Sequence, residues 1–131
     1  MKMKGSKKNK GFTLVELAVV IVIIGVLAAI AVPRFLSTTE TAVDAQVQAT
    51  ADALRSAYSI YLAQNRGTKP TCNQLLSSVD ELNVSGRSAT GVRDPNLRVL
   101  CSGNPASSVS VYNRNAGTYN SRNNAYVIQF R

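Results

Sequence analysis

Apolar and polar positions follow three different patterns along the chain, and each pattern predicts a different kind of element. From Leu17 to Val32 every residue is apolar except Gly25. Counted from Phe12, the stretch reaches about the 20 residues that a bilayer-crossing helix needs. After Pro33 the apolar residues thin to a stripe, Leu36, Val43, Val47, Leu54, Tyr58 and Tyr61, at steps of three, four or seven, which is one face of an amphipathic helix. Alanines and polar residues such as Thr39, Glu40, Gln46, Gln48, Asp52 and Arg55 occupy much of the rest. Together the two patterns predict one helix over Phe12–Asn65, roughly 54 residues and about 80 Å at 1.5 Å per residue. Pro33 removes one backbone hydrogen bond inside that helix, so a kink or a local loosening is expected there. The end is expected at Asn65-Arg66-Gly67, with the glycine in the left-handed position and Pro70 following shortly.

The third pattern begins at Thr68. Thr71-Cys72-Asn73-Gln74 is a capping-box sequence and predicts a short helix carrying Leu75, Leu76, Val79 and Leu82. Asn83–Asn96, rich in Ser, Gly and Arg and ending in Asp94-Pro95-Asn96, reads as loop. Valine and tyrosine then alternate with small polar residues in three runs, Leu97–Cys101, Ser108–Tyr112 and Ala125–Phe130, which predict strands. An α+β fold follows, with a three-stranded antiparallel sheet laid on the stripe of the long helix, because neither apolar surface can be left in water.

Charge refines the picture at the N-terminus. Five of the fifteen basic residues are Lys2, Lys4, Lys7, Lys8 and Lys10, leaving ten against seven acids beyond Gly11 and a net of only +3 from the total of +8. Lysines before an apolar span, without a similar cluster just after it, place the N-terminus in the cytoplasm and the remainder across the membrane. Cys72 and Cys101, the two cysteines, fall on that far side, where an oxidising compartment permits one bridge between them; the alternative is two unpaired buried thiols. A bridge is valuable to a small core of about 65 residues and removes several kcal/mol of unfolded-state entropy, typically about 2 to 4. There is no histidine, so no Ser-His or Cys-His pair and no histidine metal site can be built from one chain. The chain is accordingly read as a non-enzyme with no cofactor and no metal. Asp80-Glu81 look like solvated charges, and Asp94 with Asn96 supply only two oxygens of a calcium loop.

Glu16 stands out, because a carboxylate near the middle of a membrane helix costs about 2.5 to 3.5 kcal/mol and less near its ends. The segment Gly11-Phe12-Thr13-Leu14-Val15-Glu16, after a short lysine-rich leader and before a long apolar run, closely resembles the processing site of type IV prepilins and pseudopilins. That resemblance covers residues 5 to about 36 and implies the pilin fold. It implies that a prepilin peptidase cuts after Gly11 and that Phe12 becomes the methylated N-terminus. It further implies that Glu16 is the assembly glutamate, pairing with the Phe12 amine of a neighbouring subunit, and that Pro33 is the helix-loosening proline. The chain would then comprise a cleaved leader (1–11), a membrane and filament-core half-helix (12–33), an amphipathic half-helix (34–66) and a globular module (67–131). Expected partners are copies of itself in a filament, the prepilin peptidase, the membrane before assembly, and inner-membrane machinery with its ATPase. The subunit would sit in a bacterial inner membrane first and in an extracellular pilus afterwards, serving adhesion, motility or DNA uptake.

Within that family Val32-Pro33-Arg34-Phe35-Leu36 and the single disulfide look most like mannose-sensitive haemagglutinin-type and related type IVa pilins; a type II secretion pseudopilin is the alternative. One departure is that Cys101 is followed by 30 residues, whereas typical type IVa pilins place the second cysteine near the C-terminus. A different reading makes Ala29-Ile30-Ala31 an ordinary signal-peptide site with Val32 as the mature start, although neither Glu16 nor the Gly11-Phe12 junction has a role in such a peptide. Arg87, Arg93, Arg98, Arg114, Arg122 and Arg131 with several tyrosines raise DNA as a partner, but they form no compact cluster and no known reader motif. Asn83-Val84-Ser85 matches the N-glycosylation acceptor pattern.

Overall fold

The computed structural model describes Gly5 and residues 11–131, the side chain of Leu36 excepted; the leader lysines 2, 4, 7, 8 and 10 lie outside the described residues. The elements are α1 (Leu14–Gln64), α2 (Cys72–Ser77), β1 (Leu82–Ser85), β2 (Ser88–Gly91), β3 (Leu97–Ser102), β4 (Ser108–Asn113) and β5 (Tyr126–Gln129). The chain divides into two compact units at Leu36/Ser37, and α1 contributes residues to both.

In the unit from Ser37 onward, the helix face that is buried comprises Val47, Ala51, Leu54 and Tyr58, at the steps of four, three and four that keep residues on one side of a helix. Val43 and Tyr61, at the two ends of the predicted stripe, are only half-buried. Ala51 takes the remaining inward position, so its small size lets the sheet approach closely. The helix closes with the Gly67 N–H donating to the Leu62 carbonyl at 2.8 Å, the six-residue bond of a Schellman cap. The left-handed residue that this cap requires is Arg66 (φ 52), with Gly67 (φ 85) following it. The expected glycine is therefore one position late, and an arginine takes the left-handed position instead.

The sheet has five strands in the order β1-β2-β3-β4-β5, all antiparallel neighbours, rather than the three that the apolar runs predict. Strands β3, β4 and β5 are those runs to within one or two residues. The additional hairpin, β1–β2, lies in the stretch read as loop and turns at Gly86-Arg87 between the paired Ser85 and Ser88. A two-residue turn of this kind needs a positive φ at its first central position, and Gly86 supplies it at 63°. Leu82 belongs to β1, not to the short helix, which ends at Ser77.

Inward positions alternate along each strand: Leu97, Val99 and Cys101 in β3, Val109 and Val111 in β4, Ile128 in β5. They form one cluster with the helix face and with Leu75 and Leu76 of α2. Thr71 caps α2 in the predicted way, accepting from the Gln74 N–H while its own N–H donates to Gln74 Oε1 at 3.0 Å. A disulfide joins Cys72, the first residue of α2, to Cys101 on the inner face of β3, with Cα atoms 5.7 Å apart. Tyr58 stacks on Phe130 with ring centroids 4.1 Å apart, holding the end of the chain against the helix.

Candidate functional site

The unit that ends at Leu36 contains the segment on which the resemblance rests. Its helix begins at Leu14, which makes Thr13 the N-cap and Glu16 the third helical residue. The Glu16 N–H donates to Thr13 Oγ1 at 3.2 Å, and the Thr13 N–H donates to Glu16 Oε2 at 3.1 Å. This reciprocal pair is a capping box: it satisfies two donors that the first helical turn would otherwise leave open, and it sets a carboxylate at the positive end of the helix dipole. Thr13-Leu14-Val15-Glu16 has the capping-box spacing, so this role for Glu16 is readable in the sequence, although the cost of a membrane carboxylate points first to intermolecular pairing. Among the described residues the second carboxylate oxygen, Oε1, accepts no hydrogen bond.

Beyond this cap the helix is apolar and uncovered. Leu14, Val15, Leu17, Val19, Val20 and the large aliphatic residues on to Val32 are all exposed, as are Phe12 and Phe35. Length and composition suit a membrane crossing, and none of the apolar stretch is buried within the chain. Gly25 has open space where a side chain would project, and α1 remains helical through Pro33. Exposed aliphatic surface on this scale is unfavourable in water at about 25 cal/mol per Å², so it needs lipid or other protein around it. Gly11 and Phe12 lie just before the helix, both exposed, with Phe12 next to the cap.

In the unit from Ser37, the residues considered for other chemistry have structural employment. Asp94 Oδ1 accepts from the Asn96 N–H at 3.0 Å, and Asp94 Oδ2 from Asn113 Nδ2 at 2.6 Å. Asn113, fully buried, also donates to Gln46 Oε1 at 3.4 Å, while its Oδ1 accepts from the Asn115 N–H. Together these bonds link the helix, the β2–β3 connection and the end of β4. Asp44 anchors the β4–β5 connection, accepting from the Thr118 and Tyr119 N–H groups at 3.0 to 3.1 Å. Partial burial pushes the Asp44 carboxyl upward, but the Tyr119 and Thr118 N–H donors and the Thr118 hydroxyl outweigh it and hold its pKa below the ordinary aspartate value. Nothing in the sequence pattern marks Asp44, because Thr118 and Tyr119 lie about 75 residues away along the chain, or the bond that carries Asn113 back to Gln46 across 67 residues.

Among the described residues no group of three or more His, Cys, Asp or Glu is arranged to hold a metal ion. The arginines raised for DNA are spread out. Arg87 sits in the β1–β2 turn, Arg98 on the outer face of β3 opposite Thr90 and Tyr112, and Arg93, Arg114 and Arg122 in the connections at the other end of the sheet.

A capped, exposed apolar N-terminal helix, whose chain continues into a disulfide-tied helix-and-sheet module, defines a pilin-like protein: a subunit whose apolar stem must be covered by something other than itself. Residues 6–32 match the prokaryotic N-terminal methylation motif. The chain is 50% identical over 94 residues to the type IV narrow pilus major component PilA5 of Thermus thermophilus, covering 72% of this chain and 79% of that one. It is 42% identical over 79 residues to the type II secretion system core protein G of Escherichia coli, covering 60% of this chain and 54% of that one. A fimbrial protein of Neisseria meningitidis is 33% identical over 88 residues, 67% of this chain and 51% of its own. The chain thus spans most of the Thermus relative and about half of the other two. It belongs to the type IV pilin family.

Proposed function

We infer that this chain is the precursor of a structural subunit of a type IV pilus, and the observation that carries the reading is the uncovered apolar helix with a capped glutamate at its start. In this reading a prepilin peptidase removes residues 1–11 on the cytoplasmic side and Phe12 is methylated. Residues 12–33 hold the subunit in the bacterial inner membrane, and machinery driven by an ATPase transfers it to an extracellular filament. There the same residues pack against identical helices, exchanging lipid for protein. Gly25 and the alanines near Ala29 favour close helix approach, and Pro33 is a place where the helix yields.

Cutting after Gly11 creates an α-amine at Phe12 with a reference pKa near 8, hence a cation near neutral pH. Glu16 Oε2 is occupied by the Thr13 N–H, so Oε1 is the oxygen that meets the cation of a neighbouring subunit. An unpaired buried charge is strongly destabilising, which penalises out-of-register subunits more than pairing rewards correct ones.

Two substitutions separate the charge from the cap. Glu16→Ala removes both. Glu16→Gln retains a third-position side chain able to accept from the Thr13 N–H and removes only the charge. Both variants should insert in the membrane and be processed, and both should leave sheared surface filaments near background. Normal filaments from Glu16→Gln would show that the cap, and not a charge pair, is what assembly needs. Mass analysis of the mature N-terminus tests the processing itself: methylated Phe12 is expected, and a free Val32 would mean an ordinary signal peptide. Abundance in sheared filaments distinguishes a pilus subunit from a secretion pseudopilin.

A further inference from the structure

The acceptor pattern Asn83-Val84-Ser85 falls on β1, which among the described residues is an edge strand of the sheet, paired with β2. The ladder continues one residue before the strand, since the Val92 N–H donates to the Glu81 carbonyl at 2.9 Å. Asn83 and Ser85 occupy alternate positions on β1, and alternate positions of a strand share a face; Glu81 immediately precedes the strand, in the turn closed by the Leu82 N–H donating to the Val79 carbonyl. All three are exposed. The intervening Leu82 and Val84 point the other way, Leu82 into the core and Val84 packed against it. A carboxamide and a hydroxyl thus line the solvent face of an edge strand, held in order by two apolar residues beneath, with the exposed Glu81 two residues ahead of Asn83. Asn83's carboxamide has no hydrogen-bond partner among the described residues, and the tight Gly86-Arg87 turn follows directly.

From this arrangement we propose that Asn83 is a glycosylation site on the solvent face of the module, modified by a membrane-bound saccharide transferase on the far side of the membrane. Sequons of this form are acceptors on exposed segments of exported chains. Asn83 Nδ2 attacks C1 of a saccharide carried on a lipid pyrophosphate. The C1–N bond forms and the C1–O bond to pyrophosphate breaks; the lipid pyrophosphate leaves with the bonding electrons, and the amide proton passes to a carboxylate of the transferase. The Ser85 hydroxyl, on the same face, and the exposed Glu81 carboxylate just before the strand are the groups by which the transferase recognises the acceptor.

The site rests on the module being exported. The experiment is mass spectrometry of the reduced peptide spanning Asn83, taken from filaments sheared off the organism that carries the chain. Most copies should bear a saccharide on Asn83. Asn83→Gln and Ser85→Ala should lose it, and Ser85→Thr, which keeps the hydroxyl, should retain it. These exposed side chains can be changed without touching the core, and filament yield reports folding in each variant. Unmodified Asn83 in wild-type filaments, or a saccharide on Ser85 or another hydroxyl instead, overturns the site while leaving the subunit reading intact. A chain that never leaves the cytoplasm overturns both.

Discussion

The two units use the same aliphatic residues and treat them in opposite ways. Val47, Leu54, Val99 and Val109 are completely buried, whereas Ile21, Ile23, Ile24 and Leu27 are all more than half exposed. The difference is not composition but partnership. In residues 37–131 a helix face, a sheet and a short helix cover one another, and a disulfide ties two of them together. Up to Leu36 there is one helix with apolar residues on every side, and a helix that is apolar all round has to be buried in something. The first arrangement carries its stability within the chain. The second takes it from whatever surrounds the helix, which suits the proposed exchange of membrane for filament.

Removal of the disulfide tests the self-sufficient half most severely. Cys72 and Cys101 are 29 residues apart, and losing a native bridge from a small exported domain typically costs about 2 to 5 kcal/mol. A Cys72→Ser/Cys101→Ser double variant should show that loss in denaturant unfolding of the full chain in detergent, followed by near-ultraviolet circular dichroism of the tyrosines. An unchanged midpoint would mean that the core alone suffices.

A pair of truncations sharpens the contrast. Leu54→Ala opens a cavity in a closed core and should cost about 2 to 5 kcal/mol in the same unfolding experiment, with filament yield falling in consequence. Ile23→Ala removes atoms from a side chain that is more than half exposed and outside the core cluster, so it should leave that transition unmoved and instead weaken filaments, read as loss of subunits under shear. Equal destabilisation of the unfolding transition by both variants would contradict the division into a self-supported and an environment-supported half.

The same contrast explains what was legible. The uncovered helix could be read from sixteen nearly uninterrupted apolar positions, since nothing there depends on distant residues. In the module, strands with large inward residues were readable because Val99, Val109, Val111 and Ile128 alternate with polar neighbours. The β1–β2 hairpin was not, because its inward positions in β2 are only Ala89 and Gly91 and its outward ones are Asn, Ser and Thr, a composition shared with loops. Gly86 ahead of Arg87 was the available signal, a glycine at the first position of a two-residue turn. Ala51 passed for filler on the helix, although it is as completely buried as Leu54. At the candidate site the glutamate was found by its energetic cost, while its capping bond to Thr13 needed only the three-residue spacing to be noticed. Asp44 could not be found locally, since its partners Thr118 and Tyr119 return to the helix after about 75 residues, and neither could the bond from Asn113 to Gln46, 67 residues apart.

Asp44 is also where the smallest predicted effect lies, confined to one connection of the self-supported unit. Its carboxylate fixes the β4–β5 connection through the Thr118 and Tyr119 N–H groups, and these donors favour the charged form over the neutral one. Its folded pKa is therefore lower than its unfolded one, so its contribution is present above the ordinary aspartate range and is lost as pH falls through the lower, folded value. The Thr118 and Tyr119 amide resonances should accordingly shift together on acidification, with a midpoint below the ordinary aspartate value. In Asp44→Ala that shift should vanish while the buried core resonances of Val99 and Val109 stay in place. A midpoint above the ordinary value would mean that partial burial, and not the two backbone donors, governs this carboxylate; movement of the core resonances in Asp44→Ala would mean that the connection is part of the core rather than a strap laid over it.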